Sequence, residues 1–409
     1  MFEFLIVFQF FLLLLFFILF KENNKISYQI LLIFIKINIF SVIFFMLGHI
    51  QMIFFILYAI LFISFLFIFI ALSKNIKIDT EFKKEYFLFL IAIFILFIFS
   101  QGCINKIEYP SYHNEIKLDF TPGKILVLNK DRIFIAAENS DKVFEYDLKN
   151  NKIIKTIKTG YSPFDIKYFN KKLFISNYLG NSITIYNIED GSAQNIQSGG
   201  LNPCGLEINK ERKLIYVANM SSNNVTVIDI NEKKIKTKIA TGKWPSDLYL
   251  SQDNKYLYVT CKYTNTIEII DVENEKHIFT KVQTGISPTR ILPLNNKELV
   301  ILNEWEYVFN LKSTIIIFDR ANYKVNNSIK VDGGIFDGVV SKSKKYIYVS
   351  VPAKDKILFV NVKSKRKVHD LNLEDDIPKY LAISEDGKQL FISAQNSKKL
   401  IIVNLKDFN

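Results

Sequence analysis

The spacing of apolar positions changes once along this chain. Through residue 99 they run almost unbroken as Phe, Ile and Leu; from about residue 104 they alternate with polar residues at a period of two. Unbroken runs of about 20 apolar residues fit membrane-spanning helices. Period-two alternation rich in Val, Ile, Tyr and Phe fits half-buried strands. The pattern thus divides the chain into a helical transmembrane region over residues 1–102, a linker over 103–112 and an all-β domain over 113–409.

The alternating half repeats. IYVANMSSNNVTVIDI (215–230) recurs forty-two residues later as LYVTCKYTNTIEIIDV and forty-two residues earlier as LFISNYLGNSITIYNI. Pro122, Pro163, Pro203, Pro245, Pro288, Phe336 and Pro378 anchor seven such units, with spacings of 41, 40, 42, 43, 48 and 42. Each unit opens on a turn such as TGYSPFDI or TGKWPSDL and predicts four short strands, the last the most polar. Four strands per 40–45 residues predict a β-propeller blade, and seven units predict seven blades. The last unit supplies only three strands before Leu405, while HNEIKLDF (113–120) precedes the first unit as a spare strand. Pairing of 113–118 with the C-terminal strands is therefore expected to close the ring and remove its open edges.

In the apolar region, three full segments (2–20, 26–47 and 50–72) and a shorter fourth (86–99) can be read. Lys21 and Lys25, and then Lys74, Lys77, Lys83 and Lys84, fall on one side of them; the loop at Gly48-His49 has no Lys or Arg. The positive side is cytoplasmic, which makes everything after Cys103 extracytoplasmic. SQGC (100–103) also resembles a lipobox, so Cys103 is a lipidation candidate, with an uncleaved signal-anchor as the alternative. Lys36, with no acidic partner inside a segment, snorkels or packs against a neighbouring helix.

The formal charge of +12 changes the picture little. The basic residues are mostly Lys, scattered along polar strand faces, whereas a nucleic-acid reader clusters Arg with aromatics. The pattern argues against nucleic acid as a partner. Cys103, Cys204 and Cys261 form no C-x-x-C, which excludes a zinc ribbon and c-type haem attachment. Cys204 and Cys261 read as small buried residues. His113, His277 and His369 fall on or beside fourth strands, away from the axis, which disfavours a channel haem or a Ser-His-Asp triad.

With these repeats in view, IYVANMSSNNVTVIDI and LYVTCKYTNTIEIIDV resemble the YVTN family of β-propeller repeats, over about residues 113–409. The resemblance implies an exported seven-bladed propeller, often with a binding role. The chain departs from it in its N-terminal apolar region and in an enlarged fifth repeat.

Turns between blades, and those between second and third strands, meet on one face. Tyr161, Phe164 and Trp244 flank the anchoring prolines there, and Asp165, Asp247 and Arg290 stand two places after them. Asn177, Asn219 and Asn303 end second strands. The fifth repeat inserts Glu304, Trp305 and Tyr307 in the same place. Aromatics beside charges suit a protein partner or a glycan. The expected function is a membrane-tethered, extracytoplasmic binding or scaffold module, with residues 1–99 in the membrane and no cofactor or metal. The alternative is a metal-dependent hydrolase or lactonase-like propeller in which Asp165, Asp247, Asp337 and Asp376 converge.

Overall fold

The computed structural model describes residues 114–304 and 313–405, and for 277–281 the backbone alone. Seven four-stranded antiparallel sheets follow one another. Six of the seven innermost strands start on the anchoring proline, as in β2 (Pro122–Val127), β10 (Pro203–Asn209), β14 (Pro245–Leu250) and β26 (Pro378–Ile383). Proline suits a strand's first residue because no ladder hydrogen bond needs its missing N–H. The sixth blade, with Phe336 in place of proline, has a shorter inner strand, β22 (Gly338–Val340).

The ring closes as the repeat arithmetic predicts. Strand β1 (Asn114–Lys117) pairs with β28 (Lys399–Asn404), Asn114 opposite Ile402 and Lys117 opposite Lys399. The last sheet thus runs β26-β27-β28-β1, where β27 is Gln389–Ala394, so the first strand of the propeller forms the outer strand of the last blade. The Ile133 and Ile135 side chains of blade 1 share a core with Phe391 and Leu400 of blade 7, which seals that junction with hydrocarbon. Equivalent clusters fill the other junctions: Tyr348 of blade 6, for example, packs with Leu390 of blade 7.

Hydroxyls and one thiol stitch neighbouring blades. Ser176 Oγ donates to the Cys204 carbonyl at 2.6 Å, Ser246 Oγ to that of Pro288 at 3.0 Å, and Ser393 Oγ to that of Gly123 at 2.5 Å. Cys204 Sγ donates to the Pro245 carbonyl at 3.2 Å. Cys204 and Cys261 are buried and unbridged. Burial raises the Cys204 thiol to about 12 and raises Cys261 further, so both stay protonated.

The four apolar segments, the lysines between them, Cys103, His113, Trp305 and Tyr307 lie outside the described residues. Among the described residues no helix is long and apolar enough to cross a membrane.

Candidate functional site

Two sets of side chains meet on the turn face: one at the axis, one at the rim. Contacts between non-neighbouring blades must pass through the axis, and they define it. Lys124 of blade 1 reaches Asp337 of blade 6, Nζ to Oδ2 3.1 Å. Phe164 of blade 2 meets Tyr380 of blade 7 edge-on, with centroids 6.4 Å apart; Phe336 of blade 6 meets the same ring at 5.1 Å. Lys379 Nζ lies 4.9 Å from the Phe336 centroid and holds Glu138 at 2.9 Å.

Beside these rings is a chain of charges, with Lys124 Nζ 5.8 Å from the Tyr380 centroid. Arg290 bridges two carboxylates, Nη1 to Asp247 Oδ1 at 3.1 Å and Nε to Asp337 Oδ1 at 2.8 Å. Asp165, Asp247 and Asp337 are 3%, 4% and 1% exposed. Each accepts a backbone N–H from the innermost strand of the next blade: Asp165 from Leu206 at 3.0 Å, Asp247 from Ile291 at 2.8 Å, Asp337 from Leu381 at 3.1 Å. The acids of blades 2, 4 and 6 thus tie each blade to its successor. A buried carboxylate is tolerated when it is paired and hydrogen-bonded in this way.

Titration reflects the unequal surroundings. Burial works against the charge on Asp337, yet Lys124 and Arg290 beside it hold its carboxyl below the ordinary value. Burial raises Asp247, and its neighbour Asp165 adds to the shift while Arg290 opposes it. Lys124 is lowered, by burial first and then by Arg290. Burial keeps the Tyr380 phenol protonated well above its usual range. Among the described residues no three His, Cys, Asp or Glu groups converge as a metal site would require. Asp376 stands apart from the axis acids, 3.7 Å from Lys399 of the last blade's third strand.

The rim is the opposite. Tyr161 is 49% exposed, Leu201 55%, Trp244 49% and Tyr263 63%, all in turns of blades 2 to 4, joined there by Leu179 and on blade 5 by Ile286. The Trp244 and Tyr263 rings lie 5.8 Å apart and Lys243 stands over Tyr263 at 5.4 Å. Inward from them Phe164 stacks on Tyr178 at 5.7 Å, and Tyr178 touches Met220.

Five of the six proline-anchored entry turns place a left-handed residue just before the proline. Ser162, Asn202 and Ser287 fill it at φ 62°, 55° and 55°; Trp244 and Ile377 fill it at 58° and 46°. Asn takes this conformation cheaply, whereas bulky and β-branched side chains do not. Trp244 and Ile377 therefore carry backbone strain while exposing hydrocarbon, and neither feature helps folding. Glu304 is half-buried at the same face and pairs with Lys262.

Sequence reasoning placed Tyr161, Phe164, Asp165, Trp244, Asp247, Arg290 and Glu304 at one end of the ring, and the structure separates them. Phe164, Asp165, Asp247 and Arg290 belong to the axis; Tyr161 and Trp244 belong to the rim. Asn177, Asn219 and Asn303 are buried braces under the entry turns. Asn177 Nδ2, for instance, donates to Thr184 Oγ1 at 2.9 Å, and a Cβ on Gly160 would fall 2.7 Å from that nitrogen. The sequence reading missed Lys124, Tyr380 and Lys379 at the axis, and Leu201 and Tyr263 at the rim. Aligning the repeats by column would have found Leu201, because Tyr161, Leu201 and Ile286 all stand two places before their proline.

This ring of seven four-stranded sheets is a β-propeller closed by its first strand. A model of the YNCE-like beta-propeller family matches residues 116–379, and the chain belongs to that family. No curated protein matches the sequence. Among solved structures it is similar to a chain of Kuenenia stuttgartiensis hydrazine synthase, with a TM-score of 0.61 and 16% identity. That likeness covers 71% of this chain and 98% of the other, and it concerns the fold alone.

Proposed function

We propose that the protein is a membrane-tethered, extracytoplasmic propeller of the YVTN-repeat kind that binds a protein partner through its turn face. Residues 1–99 form the membrane anchor, either as helical spans or with Cys103 lipidated, and the lysines between the apolar segments orient the propeller outward. The observation that carries the binding role is the exposed hydrocarbon of Leu201, Trp244 and Tyr263 beside a strained Trp244 backbone. Exposed apolar groups concentrated in one region mark interaction sites, and backbone strain is retained where function requires it. The axis acids favour this reading over catalysis, because ion pairs and backbone N–H groups already occupy them.

A photo-crosslinking side chain at position 201, in the full chain in native membranes, tests the role. A discrete protein adduct absent from position 153, on an outer strand, is expected. No adduct from position 201, or the same adducts from both positions, contradicts it. Protease added to intact cells is expected to digest the propeller, and full protection contradicts its export.

A further inference from the structure

The turn face is chemically divided. In blades 2 to 4 the entry turns (159–162, 198–202, 241–244) and the outer turns (178–181, 220–223, 262–265) contain no Asp or Glu. In blades 6, 7 and 1 the corresponding turns carry Asp332, Glu374, Asp375 and Asp119, all exposed. Lys142, Lys354 and Lys398 also stand in that half, and Lys379 and Lys399 pair there with Glu138 and Asp376, but with Asp141 and Asp355 the acids remain the more numerous. The strained Trp244 and its neighbours Leu201 and Tyr263, on blades 3 and 4, therefore face a predominantly acidic crescent across the ring.

Resting on the binding role proposed above, we infer that the partner is a protein segment with large apolar side chains flanked by Lys or Arg. Its apolar residues lie on Leu201, Trp244 and Tyr263, and its cations lie over Glu374, Asp375 and their neighbours. Three features select this occupant. Leu179, Leu201 and Ile286 are aliphatic and exposed, and they give a sugar ring neither a stacking face nor a hydrogen bond. The acidic crescent repels an anionic bilayer that the apolar half would otherwise suit. Opposite charge across an interface fixes register and speeds encounter, which a partner apolar at one end and basic at the other exploits. Strand β1 begins at the face away from the turns: Asn114 lies opposite Ile402, and Lys117 lies beside the Lys398 turn.

The full chain, purified in detergent and immobilised, is challenged with a phage-displayed random peptide library. The library is first depleted on the Leu201→Asn/Trp244→Asn double variant, which removes peptides that adhere elsewhere. Recovered sequences are expected to combine aromatic or aliphatic residues with Lys or Arg. A synthetic peptide of that sequence is expected to bind the double variant about tenfold or more weakly, as when a hot spot is truncated. It should bind Glu374→Gln/Asp375→Gln several-fold more weakly, with the difference shrinking in high salt. Acidic or uncharged consensus sequences overturn the inference, as does a Glu374→Gln/Asp375→Gln variant that binds like the wild type. Capture of phosphatidylglycerol vesicles by the wild type but not the Leu201→Asn/Trp244→Asn variant assigns the face to lipid and overturns it. A dimer abolished by those substitutions assigns the face to a second copy and also overturns it. If selection yields no basic apolar sequences but crosslinking from position 201 still gives an adduct, this inference fails and the binding role stands. If both fail, the binding role fails with it.

Discussion

The axis and the rim of one face are built from the same repeated turn, yet they reverse the usual placement of chemistry. At the axis, charges are buried: Asp337 is 1% exposed and locked between Lys124 and Arg290. At the rim, hydrocarbon is exposed: about half of Trp244 and more of Tyr263 face solvent. A protein ordinarily does the converse. The difference is in what each set holds. The axis charges are paired and tie blades together, so they are explained by the fold. The rim side chains carry no ion pair between blades, and at Trp244 they add strain, so a partner that covers them explains them better than the fold does.

That contrast predicts unequal responses to substitution. The largest effect is expected at Asp337→Asn. It leaves Lys124 and Arg290 facing a neutral amide and weakens the tie to Leu381, a change that typically costs about 3–5 kcal/mol when a buried pair is broken. Denaturant unfolding measures it, and a loss under about 1 kcal/mol would show that the axis network is not what holds blades 6 and 7 together. Asp247→Asn is expected to cost less, about 1–2 kcal/mol, because burial and Asp165 already disfavour its charge and Arg290 retains Asp337.

The two acids also differ in their pH dependence. The Asp337 carboxyl is held below its unfolded value of about 3.9, so its contribution is fully present above that pH and is lost as pH falls through the native value. Asp247 is raised, so the native state holds its proton more tightly, and its contribution declines as pH rises from the unfolded value through the raised native one. Asp337→Asn is therefore expected to flatten the acid limb of the stability profile, and Asp247→Asn to leave that limb as steep or steeper. Identical profiles for the two variants would remove the asymmetry argued for Arg290.

Much of this architecture was legible in the sequence, for a physical reason. Period-two alternation and proline anchors are local signals, and seven repeats in tandem, six of them anchored on proline, leave one ring to build. The closing strand was legible because three C-terminal strands need a fourth, and 113–118 supplied its pattern. The division between axis and rim was not legible. Asp165 and Trp244 are two and one places from their anchoring prolines, too close in sequence to separate without knowing which way each side chain points. The Lys124–Asp337 pair joins residues 213 apart, a pairing that no local pattern encodes. The strain at Trp244 was equally hidden, because it is a property of φ that the one-letter code does not carry.

The smallest effect on folding is expected at Trp244→Asn, and it tests the central claim most directly. Asn adopts φ near 58° readily, and it keeps the backbone bonds to Asn223 Oδ1 and from the Lys262 N–H. Calorimetric melting of the full chain should place this variant at or above the wild type, because relieved strain offsets the lost contact with Tyr263. A loss of more than about 1 kcal/mol, the scale of a structural aromatic contact, would make Trp244 part of the fold and contradict its assignment to a docking surface.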